Sequence, residues 1–257
     1  MSAPTTSESI QDAARAHGSS LQRLVRAPFY SDEQVCLYHG DCREILPDVK
    51  ADAIITDPPF KLSQSYAANV DADNLDAVAS LTDSARMMKA TLPIGGIAAI
   101  FYDNRIMPFA LGAFARAEWS YLRFMPFYRR WGNAHKMNGW MSTTDPILLF
   151  GVPGKVPEFF GDWKHDCYIK DGPENEDAGH PAQKPIWILT HIADHICPPG
   201  GTVLDPYAGS GSTLVAAKKA GRKAIGIEKE LWACEIAARR LHETTKTERI
   251  TEGVLAL

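Results

Sequence analysis

Continuous apolar runs alternate with segments of helical periodicity over most of this 257-residue chain. The runs that predict strands lie at residues 35–38, 53–56, 97–101, 119–128, 146–150, 202–205 and 224–228. The predicted helices cover residues 76–91, 185–196, 212–220 and 231–242. Uninterrupted apolar strands are typical of a sheet buried on both faces, and strands joined through helices are typical of parallel pairing. The pattern therefore predicts an α/β fold, with a mostly parallel sheet and helices on both faces.

The length fits one large domain that carries a short insertion. Residues 1–30 are predicted to be an N-terminal extension with one or two helices, and residues 246–257 a C-terminal tail. The domain between them spans residues 31–245. Within it, residues 151–179 lose periodicity and are rich in proline, glycine and acids. We interpret that segment as a small insertion, a lid or a loop that recognises the target.

The net charge of -4 does not by itself indicate a nucleic-acid binder, but charge is distributed unevenly along the chain. Residues 121–140 hold three arginines, one lysine and six aromatic side chains without a single acid, whereas residues 161–180 hold six acids and two lysines. Because polyanions respond to local patches, the basic segment is a candidate DNA surface. Its candidate contacts are Arg129, Arg130 and Lys136, although a solvated charged face explains each of them equally well.

The sequence carries signals for the cellular location of the protein. The longest nearly uncharged apolar stretch, residues 92–102, is far shorter than the ~20 residues of a membrane span, and no signal peptide is evident. Five scattered cysteines without a Cys-x-x-Cys pair favour reduced thiols in a cytoplasmic protein.

His191 and His195 lie four residues apart but lack the glutamate of His-Glu-x-x-His. We interpret them as core or partner-facing histidines and predict no metal.

A glycine-bearing turn follows the strand at residues 202–205 and opens the next predicted helix. Gly209 and Gly211 lack a Cβ and allow a ligand to approach the backbone. The next strand ends in Glu228, where a carboxylate meets ribose hydroxyls in such folds. A dinucleotide site would have its third glycine at Leu214, and Asp205 would repel a pyrophosphate. The carboxylate instead suits the ammonium group of S-adenosylmethionine, with an ordinary strand–helix turn as the simpler alternative.

A second motif, Asp57-Pro58-Pro59-Phe60, follows the apolar strand at residues 53–56. The prolines stiffen the loop at the carboxyl end of a strand, where ligands bind in open α/β sheets. The amine of a DNA base is a poor nucleophile, because its lone pair is delocalised into the ring. The Asp57 carboxylate and the Pro58 carbonyl would accept its hydrogens and favour a pyramidal nitrogen. Phe60 would stack on a flipped-out base, so the motif predicts direct in-line methyl transfer.

These motifs resemble those of the DNA amino-methyltransferases, which modify adenine N6 or cytosine N4. Asp57-Pro58-Pro59-Phe60 matches the D/N/S-P-P-Y/F/W motif of that family, and residues 205–212 are similar to its cofactor loop. The resemblance covers about residues 37–242. It implies that S-adenosylmethionine contacts Asp41, Asp57, Lys184, Pro185, Asp205, Tyr207, Gly209, Ser210, Gly211, Ser212 and Glu228.

The catalytic motif precedes the cofactor motif, which resembles the permuted, or β, subgroup of this family. The resemblance implies a circularly permuted Rossmann-like methyltransferase fold, and Asp57 before the two prolines leans toward adenine. We therefore expect a site-specific DNA adenine-N6 methyltransferase of the restriction–modification type. Cytosine-N4 methylation, RNA methylation and a DNA-binding module without turnover are the alternatives. DNA is the expected partner, and a homodimer is left open.

Overall fold

The structure is a computed structural model that describes residues 27–59, 72–104, 106–129, 135–137, 140–170 and 184–244. Phe60, Arg130, the predicted N-terminal helices and the predicted C-terminal tail lie outside the described residues. No helix within these ranges is long and apolar enough to cross a membrane.

Strands and helices alternate along the described chain, as the sequence predicts. The strands are β1 (Tyr30–Ser31), β2 (Val35–His39), β3 (Ala53–Thr56), β4 (Ile97–Phe101), β5 (Ser120–Arg129), β6 (His135–Met137), β7 (Trp140–Ser142), β8 (Thr144–Gly151), β9 (Tyr168–Lys170), β10 (Thr202–Asp205) and β11 (Lys223–Glu228). The helices are α1 (Cys42–Ile45), α2 (Ala72–Thr91), α3 (Met107–Arg116), α4 (Ile186–Ile196), α5 (Ser212–Lys219) and α6 (Leu231–Glu243), and a 3-10 turn covers Leu46–Asp48.

Nine of the described strands form one sheet in the order β1-β2-β11-β10-β3-β4-β8-β5-β9, while β6 and β7 form a separate hairpin. The five strands from β2 to β4 in this order are parallel to one another. β8 is antiparallel to both β4 and β5, and β1 is antiparallel to β2. The prediction of a mostly parallel sheet is confirmed.

The centre of the sheet shows the circular permutation directly. β10 and β11 come late in the chain, yet they lie between β2 and β3. From β10 the chain continues to β11 on one side, whereas from β3 it continues to β4 on the other. The strand order therefore reverses between β3 and β10, and open α/β sheets bind their ligands at the carboxyl edge of such a point.

Helices cover both faces of the sheet because successive residues of a buried strand point to opposite sides. In β3, Ala53 and Ile55 join a core with α4, α5 and α6. Ile54, between them, packs into the second core with α1, α2 and α3. All three side chains are almost completely buried, which explains why this strand has no polar alternation.

Six of the described strands and α-helices were absent from the sequence prediction: β1, β6, β7, β9, α1 and α3. α3 contains Pro108 and Gly112, which discourage a helix assignment, but Pro108 lies in the first turn, where a missing N–H is tolerated. β9 lies inside the segment interpreted as an insertion and pairs in parallel with Phe127–Arg129 of β5. That segment therefore adds an edge strand to the sheet.

Candidate active site

The loops after β3 and β10 meet at the carboxyl edge of the sheet. Thr56, the last residue of β3, donates a hydrogen bond from Oγ1 to Oδ1 of Asp205, the last residue of β10, over 2.6 Å. Asp205 also accepts hydrogen bonds from the backbone N–H of Tyr207, at 3.1 Å, and from the side chain of Thr213. The sequence analysis did not single out Thr56, although a hydroxyl ending an apolar strand was a usable signal.

A cavity of about 780 Å³ opens between these loops, and a volume of this order accommodates a nucleoside-sized ligand. Nine of the predicted cofactor contacts line it: Asp41, Asp57, Lys184, Asp205, Tyr207, Gly209, Ser210, Ser212 and Glu228. Pro58 and Pro59 of the catalytic motif line it as well. Pro185 and Gly211 are not among its lining residues and cap α4 and α5 instead. Two motifs separated by almost 150 residues thus share one cavity.

An ion pair joins the loop after β3 to the residues that immediately precede α4. The Lys184 ammonium contacts Oδ2 of Asp57 and lies 5.5 Å from the centre of the Phe101 ring at the end of β4. The Lys184 side chain is 21% exposed and that of Asp57 is 42% exposed. Lys184, expected to contact the cofactor, thus also holds the carboxylate expected to contact the base.

Asp205 lies deeper than the sequence suggests. Its position at the mouth of the turn predicts an accessible carboxylate, but the side chain is only 3% exposed. Burial raises the pKa of this carboxyl to about 6, although the hydrogen bonds from Thr56 and Thr213 act in the opposite direction. The Asp57 carboxylate nearby adds to the increase.

The raised pKa of Asp205 predicts a measurable pH dependence of stability. A carboxyl whose pKa is higher in the folded state contributes stability that is fully present below the unfolded pKa of 3.8 and is lost as pH rises through about 6. Relative to the Asp205→Asn variant, we expect the free energy of unfolding of the unmodified chain to fall by about 2 kcal/mol between pH 4 and pH 7. Urea unfolding at several pH values measures this difference.

The control for the Asp205→Asn variant is Asp83→Asn. Asp83 is exposed on α2 and forms a surface ion pair with Arg86. Its substitution is expected to leave the pH dependence unchanged, because an exposed pair contributes little. The unmodified chain and Asp205→Asn are compared by their free energies of unfolding. A difference that stays constant from pH 4 to pH 7 would contradict the role given to burial of Asp205.

Two more carboxylates that line the cavity are held by local hydrogen bonds. Asp41 caps α1 through the backbone N–H of Arg43 at 3.0 Å, and the Arg43 guanidinium lowers the pKa of Asp41 to about 2. Glu228 accepts hydrogen bonds from the backbone N–H of Gly209 and of Glu230, each at 2.8 Å. Both acids are therefore oriented without a ligand.

The three candidate DNA contacts differ in how the structure describes them. Arg129, at the end of β5, forms an ion pair with Asp145 at 3.0 Å, and about a quarter of each side chain is exposed. Lys136 lies in β6, and Arg130 is outside the described residues. Arg123, from the same basic segment, pairs with Asp166 over 2.6 Å and joins β5 to the acidic segment. The DNA contacts stay predictions.

Both histidines of α4 form hydrogen bonds with neighbouring protein groups. Nδ1 of His191 lies 3.1 Å from the hydroxyl of Tyr168, and Nδ1 of His195 lies 2.7 Å from the carbonyl of Phe160. Burial lowers the pKa of His191 to about 4. Across the described ranges, no group of three or more His, Cys, Asp or Glu side chains is arranged to hold a metal ion.

Comparison with known proteins identifies the family of this chain. A family model described as DNA methylase, which covers the N6 and N4 enzymes, matches residues 51–239. The chain belongs to this DNA methylase family. Among its relatives, the type II methyltransferase M2.DpnII of Streptococcus pneumoniae is 26% identical over 257 residues, covering 87% of this chain and 96% of the relative. M2.LlaDCHI of Lactococcus lactis subsp. cremoris is 26% identical over 254 residues, covering 86% and 94%.

Solved structures of DNA methyltransferases have the same fold. The crystal structure of an M1.HpyAVI–SAM complex superimposes with a TM-score of 0.63 at 25% identity, covering 80% of this chain and 98% of that one. The cytosine-N4-specific PvuII DNA methyltransferase gives a TM-score of 0.69 at 15% identity, covering 85% and 91%. This chain is an S-adenosylmethionine-dependent DNA methyltransferase of the N6/N4 family, and the sequence predictions of family, fold and cofactor are confirmed.

Proposed function

We propose that this DNA methylase transfers its methyl group to N6 of adenine, with Asp57 and Pro58 holding the amino group. The observation that carries the proposal is that Asp57, Pro58 and the loop after β10 line one cavity at the point where the strand order reverses. The aspartate before the two prolines, which leans toward adenine in this family, supports N6 over cytosine N4.

The charges of the cavity fit S-adenosylmethionine, which carries an ammonium and a sulfonium and no phosphate. Five acids line the cavity against three basic side chains: Asp41, Asp57, Asp205, Glu228 and Glu230 against Arg43, Lys184 and Lys229. Glu228 would accept hydrogen bonds from the ribose hydroxyls, and Asp205 would attract the ammonium group. Asp41, beside the end of β11, is the candidate contact of the adenosine portion.

The chain itself would contribute orientation and a fixed electric field. The cofactor supplies an electrophilic methyl group, and the protein has to present the adenine nitrogen in line with it. As the nitrogen took the methyl group and the methyl–sulfur bond broke, positive charge would develop on the nitrogen until one N–H proton left. Hydrogen bonds from its N–H groups to Asp57 and Pro58 would therefore strengthen along the reaction. Preorganised acceptors of this kind stabilise the transition state more than the ground state.

Product analysis tests the choice of base. The purified chain is incubated with unmodified duplex DNA and methyl-labelled S-adenosylmethionine, and the DNA is digested to nucleosides for mass spectrometry. We expect labelled N6-methyladenine, because the Asp57 motif is the adenine-leaning form. Labelled N4-methylcytosine would replace the proposal with the cytosine alternative, and RNA of the same sequence serves as the comparison substrate. Cofactor binding without either methylated DNA base would overturn the proposal.

A further inference from the structure

Arg240, in the last turn of α6, contacts the cofactor loop from the side away from the cavity. Its Nη1 donates hydrogen bonds to the backbone carbonyl of Ser210 at 2.7 Å, to the Ser210 hydroxyl at 3.2 Å and to the Ser212 hydroxyl at 3.1 Å. Arg240 is not among the residues that line the cavity. It therefore touches the loop and not the space that the loop encloses.

A second residue of α6 holds the same loop by packing. Gly211 adopts a φ of +78°, and a Cβ built on it would lie 2.8 Å from the Cβ of Ala237. Ala237 precedes Arg240 by three residues, so the two lie on one face of α6. This face supports the loop with close backbone packing at Gly211 and with hydrogen bonds on either side of it.

The loop is held from its other end by the acid of β11. The Glu228 carboxylate accepts the hydrogen bond from the Gly209 backbone N–H at 2.8 Å. Gly209 and Gly211 both have positive φ values, +50° and +78°, which other residues adopt only at a cost in energy. Glycine adopts these values without strain but is conformationally free, so contacts with neighbouring elements are needed to hold one loop shape. α6 supplies three hydrogen bonds and the packing at Gly211.

We propose that Arg240 is a positioning residue for S-adenosylmethionine, which fixes the loop at residues 209–212 in the shape that receives the cofactor. The proposal rests on the proposed location of the cofactor beside this loop, and it does not depend on which DNA base is methylated. All three hydrogen bonds come from the terminal nitrogen Nη1. A lysine side chain is one bond shorter, so its ammonium would reach these three acceptors only if α6 moved toward the loop. The arrangement therefore requires arginine and not only a positive charge.

The test compares Arg240→Leu and Arg240→Lys with the matched variant Arg239→Leu. Arg239 is the adjacent arginine of the same helix and is exposed. We expect Arg240→Leu to raise both the Kd of S-adenosylmethionine and its KM by about 10- to 100-fold, the effect of losing hydrogen bonds from a charged donor. The kcat at saturating cofactor should remain within about 3-fold of the unmodified chain, because the catalytic loop is untouched. Arg240→Lys should show an intermediate Kd, and Arg239→Leu an unchanged one.

Calorimetric titration with cofactor alone gives the Kd, so the result is separate from the identity of the methylated base. A lowered Tm of Arg240→Leu with an unchanged Kd for S-adenosylmethionine would overturn the proposal and leave Arg240 with a purely structural role. An unchanged Kd in Arg240→Lys would overturn the requirement for the guanidinium, and this variant decides the question if Arg240→Leu does not fold. If the unmodified chain bound cofactor but Asp205→Asn and Glu228→Gln bound it equally well, the proposed location of the cofactor would fail instead.

Discussion

Replacing Asp57 by alanine is expected to slow methyl transfer by about 100- to 1,000-fold, the usual loss when one preorganised group at a reacting centre is removed. The Asp57 carboxylate is the proposed acceptor for the amine, so its loss removes stabilisation at the atom where charge develops. The Kd of S-adenosylmethionine should change by only a few-fold, because the loop after β10 and Glu228 remain in place. Single-turnover transfer of a labelled methyl group to DNA measures the rate.

Two companion variants separate chemistry from folding. Asp83→Ala removes an aspartate that is exposed on α2, and it should retain the full rate. Lys184→Met tests whether Lys184 acts through Asp57. If Lys184 only positions the carboxylate, adding Lys184→Met to Asp57→Ala should cause no further loss of rate. Asp57→Ala with nearly the rate of the unmodified chain would remove the acceptor role from this motif.

Replacing Gly211 by alanine should lower the free energy of unfolding by about 2–5 kcal/mol. The left-handed backbone at φ +78° contributes about 1–2 kcal/mol of this loss. The new Cβ, 2.8 Å from the Ala237 Cβ and 3.2 Å from its Cα, adds about 1–3 kcal/mol through overpacking. Since α6 has to move away from the loop, we also expect weaker cofactor binding. Urea unfolding measures this loss as a lower midpoint concentration at an unchanged m-value, the slope of the unfolding free energy against urea concentration.

Gly221→Ala is the matched control, because it isolates the backbone contribution. Gly221 has a φ of +68°, close to that of Gly211, but a Cβ there meets nothing within 4 Å. Its substitution should lower stability by about 1–2 kcal/mol and leave cofactor binding intact. Equal losses at the two glycines would show that contact between the loop and α6 is unimportant.

The sequence predicted the central strands well because the physics there is local. β3 and β4 are apolar at nearly every position, and β10 has two buried apolar residues between Thr202 and Asp205. Abrupt signals such as Asp57-Pro58 end the strands. Where the local signals conflicted with tertiary packing, the prediction failed. In α3, buried Phe114 and Ala113 stabilise a helix against the sheet, whereas Pro108 and Gly112 suggested a loop.

The candidate site was predictable as a set of residues but not as a set of contacts. Asp57 and Asp205 follow strands in a recognisable pattern, yet their partners Lys184 and Thr56 lie 127 and 149 residues away in sequence. The depth of Asp205 depends on helices packed over the sheet. Arg240 belongs to no motif, and only the packing of α6 against the loop identifies it.

The hydrogen bond between Thr56 and Asp205 joins two strands that a ribosome completes at very different times. β3 is synthesised 149 residues before the end of β10, which at ~5–20 residues per second is a delay of roughly 7–30 s. Until β10 and β11 insert between β2 and β3, the edge of β3 has no strand to pair with on that side. A chain terminated before β10 would carry Asp57-Pro58-Pro59-Phe60 without the loop after β10, so we expect incomplete synthesis to yield protein that does not transfer a methyl group.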